Sequence, residues 1–392
     1  MAGVTASGPQ AAGMGLHPRQ PGPLRFTVLD SWRGLCALWV AVYHFRVISH
    51  FGDIDLFRHG HLAVEFFFVL SGFVIACAYG DRLVTLTDRA RFMVRRFGRL
   101  YPLHIATLLA VIAMESMRWA ISMKLGREVG GPLFTGATDP NALVPNLLLI
   151  HGWGMLREFT WNVPSWSISV EFLLCGLFLV AFGLPRRIPT LAAFTAIGAL
   201  GFLYTRYGIA DQAESTTAVA RGVYSFFLGC LVHYAYQAWS RRGRNVAPWL
   251  EWLIVPVFLL VSSVDGTLLP PLMFAAMIFI FAFENGPVSR VLKRPGLVRL
   301  GEISYSIYLV HYLLVLAAFG GAAVLGRVVD LGAPWIDASG RFAGDVTTLV
   351  YLAVVIAAST VTYRWIEAPG RDWFNAMSRR MGKPVSVTAT SG

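Results

Sequence analysis

The sequence has 392 residues, of which 56% are hydrophobic and only 14% are charged. A soluble domain is roughly 45–50% apolar and about 25% charged, so this chain has more apolar surface than one or two soluble cores can bury. The composition excludes a disordered chain and favours an all-α integral membrane protein. The net charge of +11 is therefore expected to mark cytoplasmic loops and not a nucleic-acid partner.

The order of apolar and polar segments predicts three regions along the chain. Residues 1–24 are rich in Gly, Pro, Ala and Gln and have no apolar core of a signal peptide, which predicts a flexible cytoplasmic tail. Residues 25–371 form the predicted transmembrane domain, and residues 372–392 form a short cytoplasmic tail. Ten apolar stretches of spanning length are predicted, near 34–51, 62–80, 100–121, 164–183, 188–205, 218–239, 247–264, 268–284, 300–325 and 346–366.

The distribution of basic residues predicts the orientation of these spans. With the N-terminus inside, 23 of the 33 Lys and Arg residues fall on the cytoplasmic side and 10 fall outside. Basic residues prefer cytoplasmic loops, so both termini are expected in the cytoplasm. The four cysteines lie singly in apolar runs without metal-ligand spacing, which predicts buried thiols and no metal site.

The first predicted span contains two ionisable residues, which are costly in a membrane and usually face an interior site. Arg33 and His44 are 11 positions apart, so about 1100° of helical rotation places them on one face. The rise along a helix separates them by roughly 16 Å. Each alone is explained by a snorkelling anchor or a helix–helix hydrogen bond, but the shared face favours a functional site near the middle of the membrane.

The second and fourth predicted spans also contain polar residues. Glu65 and Ser71 lie in a Phe-rich helix, where Ser71-Gly72 equally suits close helix packing. Ser167 and Glu171 are four residues apart and therefore share a helix face. A carboxylate inside a span is a candidate functional residue.

The ninth predicted span and the segment before the third span contain the remaining candidate site residues. Ser304, Tyr308 and His311 recur at helical spacing and predict a polar stripe along one face. Residues 89–102 contain five arginines and are predicted to form a cytoplasmic loop. Such a loop either anchors the protein to anionic lipid or binds a phosphate-bearing ligand, because guanidinium groups match phosphate geometry.

Six ordered runs cover the chain from Leu29 to Arg371 and resemble the membrane-bound acyltransferase-3 family. They are LDSWRGLCALWVAVYHF, VEFFFVLSGF, RRFGRLYP, WSISVEF, GEISYSIYLVH and YRWIEAPGR. Arg33 and His44 match the family's pattern of a basic residue, ten residues and a histidine, whereas Glu65 stands where Asp is more usual. The family comprises bacterial O-acyltransferases that modify surface polysaccharides, lipopolysaccharide, nodulation factors and some antibiotics.

The resemblance implies an enzyme of the bacterial inner membrane that transfers an acyl group, here expected to be acetyl, from cytoplasmic acyl-CoA to an extracytoplasmic glycan. Acyl-CoA is then a co-substrate, and no bound cofactor is expected. His44 is the expected general base or, alternatively, a transient acyl carrier, with Arg33 and Glu171 as its catalytic companions. The expected donor-binding residues are Arg95, Arg96, Arg99 and Tyr101, and the expected pocket residues are Glu65, Ser71, Trp166, Ser167, Ser304, Tyr308 and His311.

Three points stay open on the sequence alone. The segment from Ser122 to Val163 contains His151, Trp153, Trp161 and Asn162 and is either an acceptor platform or an interfacial belt. A transporter or flippase of a lipid-linked glycan or acyl carrier is the alternative function, since it would also have a polar interior. The acceptor glycan, the acylated position and the oligomeric state are not encoded in any motif.

Overall fold

The computed structural model describes residues 25–184, 186–207, 214–261, 268–324 and 340–382. Within these ranges the chain folds into α-helices with short 3₁₀ segments and without β-strands, which confirms the all-α class. The predicted N-terminal tail and the connection between the seventh and eighth predicted spans lie outside the described residues. The helices are α1 (Thr27–His44), α2 (His50–Asp53), α3 (Asp55–Arg58), α4 (Ala63–Tyr79), α5 (Leu86–Leu125), α6 (Leu143–Leu147), α7 (Trp166–Gly183), α8 (Arg187–Tyr207), α9 (Glu214–Arg241), α10 (Leu250–Val261), α11 (Leu269–Phe281), α12 (Pro287–Leu292), α13 (Pro295–Glu302), α14 (Ser304–Val324), α15 (Arg341–Thr362) and α16 (Ala368–Arg380).

Seven helical segments among the described residues are long and apolar enough to cross a membrane. They correspond to the second to sixth, ninth and tenth predicted spans. The first predicted span corresponds to the 18-residue α1. The seventh and eighth correspond to α10 and α11, which are only 12 and 13 residues long within the described chain. A multi-pass helical protein is therefore confirmed, whereas the count of ten spans stays a prediction.

Several predicted boundaries were wrong. The first helix begins at Thr27 and ends at His44, so His44 is its last residue and not a residue of its middle. The basic segment 89–102 is not a loop but the first part of α5, a 40-residue helix that begins with a capping box of Thr85 and Asp88. A capping box satisfies backbone N–H groups at a helix start, and Arg, Met, Leu and Ala favour helix.

The C-terminal helical segment is also longer than the sequence indicates. A five-residue π-helical stretch, Tyr363–Glu367, joins α15 to α16 without a break. Helix α16 continues to Arg380 and so runs through the first part of the predicted C-terminal tail. Single-turn π segments are rare and occur often at functional sites.

Helices α1 and α14 run parallel and form one wall of the site. Arg33 lies beside Ser304, the first residue of α14, and His44, the last residue of α1, lies beside His311 two turns further along α14. The first and ninth predicted spans therefore point the same way, as alternating spans require.

Helices α4 and α9 pack unusually closely. A Cβ atom added to Gly72 would lie 1.9 Å from the Phe226 carbonyl oxygen, and one added to Gly229 would lie 1.9 Å from the Val69 carbonyl oxygen. Small residues allow such backbone contact between membrane helices. Both interpretations of Ser71-Gly72, close helix packing and a functional role, are therefore compatible with the structure. Gly72 faces α9, whereas Ser71 faces a cavity.

Candidate active site

A cavity of about 160 Å³ lies among α1, α4, α5, α7 and α14. One wall is apolar and is formed largely by α4, including Phe67, Phe68, Val74 and Ile75. The polar residues that line it are Arg33, Ser71, Arg96, Arg99, Ser167, Glu171, Ser304, Tyr305 and Tyr308. The structure therefore brings together eight of the predicted site residues, which come from five separate parts of the sequence.

Arg33 is fixed at the cavity by α13 and α14. Its guanidinium donates to the Gly301 carbonyl oxygen at 3.3 Å and to Ser304 Oγ at 3.0 Å, and it pairs with Asp30 at 3.1 Å. A Cβ atom on Gly301 would lie 2.2 Å from the Asp30 carbonyl oxygen, and one on Gly34 would lie 2.7 Å from the Gly301 backbone nitrogen. The two glycines therefore allow α1 and α13 to approach closely enough for these bonds.

Arg96 and Glu171 form an ion pair in the cavity wall. The Glu171 carboxylate also accepts a hydrogen bond from Ser71 Oγ at 2.9 Å. The side chains of Arg96 and Glu171 are only 15% and 19% exposed, so the pair is largely removed from solvent. Arg96, Glu171 and Ser71, which were predicted for different parts of the site, thus bond to one another. Glu171 lies beside Arg96 and not beside His44.

Arg99 is oriented by Glu367, a residue that the sequence reasoning missed. Nη1 of Arg99 lies 3.8 Å from Oε1 of Glu367, whose side chain is 1% exposed. The other carboxylate oxygen of Glu367 accepts from Ser306 Oγ at 2.7 Å. A carboxylate in an apolar span is itself a functional signal, and Glu367 lies in the YRWIEAPGR run and in the π-helical stretch.

The opposite end of the cavity is closed by Tyr308. Its hydroxyl donates to the Pro164 carbonyl oxygen at 2.9 Å and accepts from Ser167 Oγ at 2.7 Å. The Phe67 ring packs edge-on against it with centroids 5.6 Å apart.

His44 does not line the cavity but lies next to His311, beyond Tyr308. Nδ1 of His44 is 3.2 Å from Nε2 of His311, and the Tyr308 and His311 ring centroids are 6.0 Å apart. The prediction that Arg33 and His44 flank a single pocket is therefore corrected. Arg33 belongs to the cavity, whereas the histidine pair lies on the other side of the Tyr308 ring.

Four other predicted site residues also lie away from the cavity surface. Glu65 forms a buried ion pair with Arg221 of α9, and Trp166 stacks on Phe159 at 4.9 Å. The first contact joins α4 to α9, and the second joins α7 to the segment that precedes it.

The other two are predicted donor-binding residues. Arg95 donates to Ser378 Oγ at 3.0 Å, so it faces α16. Tyr101 donates to the Leu147 carbonyl oxygen at 3.0 Å and stacks on Phe97. Arg95 and Arg99 are four positions apart, but only Arg99 reaches the cavity.

Three of the four residues noted in the segment from Ser122 to Val163 are buried. The fourth, Trp153, is half-buried and donates from its indole N–H to the Ser169 carbonyl oxygen at 3.0 Å. Trp161, His151 and Asn162 are all buried, with exposures of 1–2%. His151 stacks on His104 at 5.4 Å and hydrogen-bonds Ser165 Oγ at 3.0 Å. Burial, and secondarily the neighbouring His104, lowers the pKa of His151 to about 3. These residues fasten the segment to the helices and are not available to a glycan.

The arrangement suits an anionic ligand with an apolar portion. Three guanidinium groups line the cavity, and an apolar wall faces them. Each guanidinium lies within 4 Å of a carboxylate, that of Asp30, Glu171 or Glu367, so an anionic ligand would compete with these partners. Among the described residues no cluster of His, Cys, Asp or Glu is arranged to hold a metal ion. The His44–His311 pair lies next to this cavity, and histidine is the side chain that most often transfers protons in enzymes.

Comparisons with known proteins agree with this class. The acyltransferase domain of the acyltransferase-3 family matches residues 26–364, and the chain belongs to that family. It is 28% identical to the acyltransferase MdmB of Streptomyces mycarofaciens over 89% of this chain and 92% of that protein. It is 27% identical to the exopolysaccharide production protein ExoZ of Rhizobium meliloti (71% and 82%) and 24% identical to the putative membrane-bound transacylase BcsY of Komagataeibacter xylinus (96% and 95%). No solved structure matches the chain.

Proposed function

We propose that this membrane acyltransferase moves an acyl group, acetyl in the first instance, from cytoplasmic acyl-CoA to a hydroxyl of a glycan outside the bacterial inner membrane. The observation that carries the proposal is the arginine-lined cavity whose far end, at Tyr308, adjoins the His44–His311 pair. The ExoZ name supports a polysaccharide acceptor for that relative, and we extend the acceptor class to this chain.

The donor would bind with its charged part at the arginine end. Arg96 and Arg99 lie near the start of α5, and Arg33 lies in the second turn of α1. Guanidinium groups bind phosphate as paired hydrogen bonds, and CoA carries phosphates next to a flexible, uncharged arm. The apolar wall of α4 would accept that arm and direct the thioester towards Tyr308.

The acceptor hydroxyl would bind at His44. In the transfer, His44 takes the hydroxyl proton, the hydroxyl oxygen forms a bond to the acyl carbon, and the carbon–sulfur bond breaks. The leaving CoA thiolate then receives the proton, so acyl-CoA and an alcohol give an ester and free CoA. Because Tyr308 lies between the cavity and the histidines, the acyl carbon must pass its ring before transfer.

Replacement of His44 tests the proposal. His44→Gln keeps a hydrogen-bonding side chain without a titrating imidazole, and a general base contributes about 10²–10⁴-fold to a rate. Membranes that contain the variant should form at least 100-fold less labelled ester from labelled acetyl-CoA and a glycan extract, with normal protein insertion. Wild-type ester formation by this variant would refute the assignment of His44.

The same incubation separates an enzyme from a transporter. Ester-linked label together with an equal amount of free CoA is the result expected of an acyltransferase. Movement of glycan across the membrane without ester would contradict the proposal and favour the transporter alternative.

A further inference from the structure

His44 and His311 form a chain of hydrogen bonds that ends on the backbone of α14. Nδ1 of His311 lies 3.1 Å from the Ile307 carbonyl oxygen. Nδ1 of His44 lies 3.0 Å from the Val40 carbonyl oxygen and 3.2 Å from Nε2 of His311. Both carbonyl oxygens belong to the residue four positions earlier on the same helix.

The chemistry of the acceptors determines where the protons lie. A carbonyl oxygen can only accept a hydrogen bond, so Nδ1 of His311 carries a proton. In the neutral ring Nε2 of His311 is then unprotonated and presents a lone pair. Nδ1 of His44 faces one carbonyl oxygen and that lone pair, so it also carries a proton. Neutral His44 then has an unprotonated Nε2, which is the atom that can remove a proton from a hydroxyl.

Other groups pack around the two histidines without contacting the ring nitrogens. His311 is 0% exposed, and its own carbonyl oxygen accepts from the Tyr351 hydroxyl at 3.2 Å. The Tyr351 ring stacks on the ring of Phe45, the residue that follows His44, with centroids 3.9 Å apart. Within the described ranges no carboxylate lies within 4 Å of a ring nitrogen of either histidine, so no acid takes the part that Asp has in a Ser-His-Asp triad.

We propose that His311 is a positioning residue for His44, a neutral imidazole that takes the place of the triad carboxylate. It holds the His44 ring in one tautomer and one orientation with Nε2 free for the acceptor hydroxyl. When His44 becomes an imidazolium during transfer, its Nδ1–H bond to His311 becomes charge-assisted and therefore stronger. This inference rests on the proposed function, because it assigns a role within the same reaction.

Two substitutions at His311 separate positioning from packing. His311→Leu fills the space but removes one of the two acceptors of His44 Nδ1–H and leaves only the Val40 carbonyl oxygen. In His311→Gln an amide oxygen can accept that bond. Removing a residue that orients a functional side chain typically costs 10- to 100-fold. We expect kcat to fall about 10- to 100-fold in His311→Leu with an unchanged KM for acetyl-CoA, and His311→Gln to recover most of the loss.

A matched control and a spectroscopic measurement complete the test. Tyr351→Phe removes the neighbouring hydroxyl bond without touching an imidazole and should keep kcat within about twofold. Separately, ¹⁵N NMR of histidine-labelled wild-type protein should show a protonated Nδ1 and an unprotonated Nε2 for the signals that His44→Gln removes. The reverse tautomer, or equal kcat losses in His311→Leu and His311→Gln, would overturn the role of His311. An inactive wild type with the expected tautomer would instead contradict the proposed function alone.

Discussion

Arg95 and Arg99 were both predicted to bind the donor, but they have different surroundings in the structure. This difference allows a direct test of donor binding. Arg99 lines the cavity, whereas Arg95 is bonded to Ser378 on α16. Arg99→Gln and Arg95→Gln remove the same charge from the same helix one turn apart. Only the first should weaken binding of CoA or acetyl-CoA.

The size of the effect follows from the contacts of Arg99. A hydrogen bond to a charged group contributes about 1.5–3 kcal/mol, and 1.4 kcal/mol corresponds to a tenfold change in Kd. Arg99 is already 3.8 Å from Glu367, so a donor phosphate competes with an existing partner and the gain lies at the lower end. We expect Kd for CoA to rise about 10- to 30-fold in Arg99→Gln and less than twofold in Arg95→Gln.

The assay is binding of labelled CoA to detergent-solubilised protein at two salt concentrations. Because Arg99→Gln leaves the buried Glu367 carboxylate without its cation, which can cost about 3–5 kcal/mol of stability, the double variant Arg99→Gln/Glu367→Gln serves as a folded companion. The double variant should bind CoA as weakly as the single one. Equal affinities of Arg99→Gln and Arg95→Gln in folded protein would show that the basic face of α5 is only a membrane anchor.

Three further outcomes are expected. Gly72→Val should destabilise the α4–α9 contact and lower the yield of folded protein, because its first side-chain atom would collide with the Phe226 carbonyl oxygen; normal yield and melting temperature would contradict the packing. Tyr308→Ala should increase release of CoA without ester, measured as free thiol, because water would reach the thioester from the histidine side, and an unchanged ratio of thiol to ester would argue against a barrier at Tyr308. Because the pKa of folded His151 is about 3 and that of an unfolded histidine is about 6.5, the unfolded chain binds more protons below pH 6.5 and stability falls as the pH drops towards 3. The melting temperature of His151→Gln should therefore decrease less than that of the wild type between pH 7 and pH 5, and parallel decreases would exclude this contribution.

Much of the site could be predicted because membrane burial makes polar residues conspicuous. Arg33, Arg96, Arg99 and Glu171 stood out as ionisable groups in or next to apolar spans, and the structure places all of them at one cavity. Glu65 stood out by the same criterion but pairs with Arg221, since a structural ion pair and a functional charge look identical in a sequence. A lone charge becomes interpretable only when its partner is known.

The sequence by itself determined the helical class, the membrane environment and the family, because hydropathy, helical spacing and ordered motifs are local properties of the chain. It also placed Arg33 and His44 on one face of a helix, since eleven residues are close to three turns. Only the tertiary structure decided that Tyr308 lies between the cavity and the histidines, that Glu367 holds Arg99 and that His311 faces Nδ1 of His44. The His44–His311 contact joins residues 267 positions apart, and the Arg99–Glu367 contact is of similar range. Their geometry depends on which helices pack together and how closely, which glycines such as Gly72 and Gly301 permit.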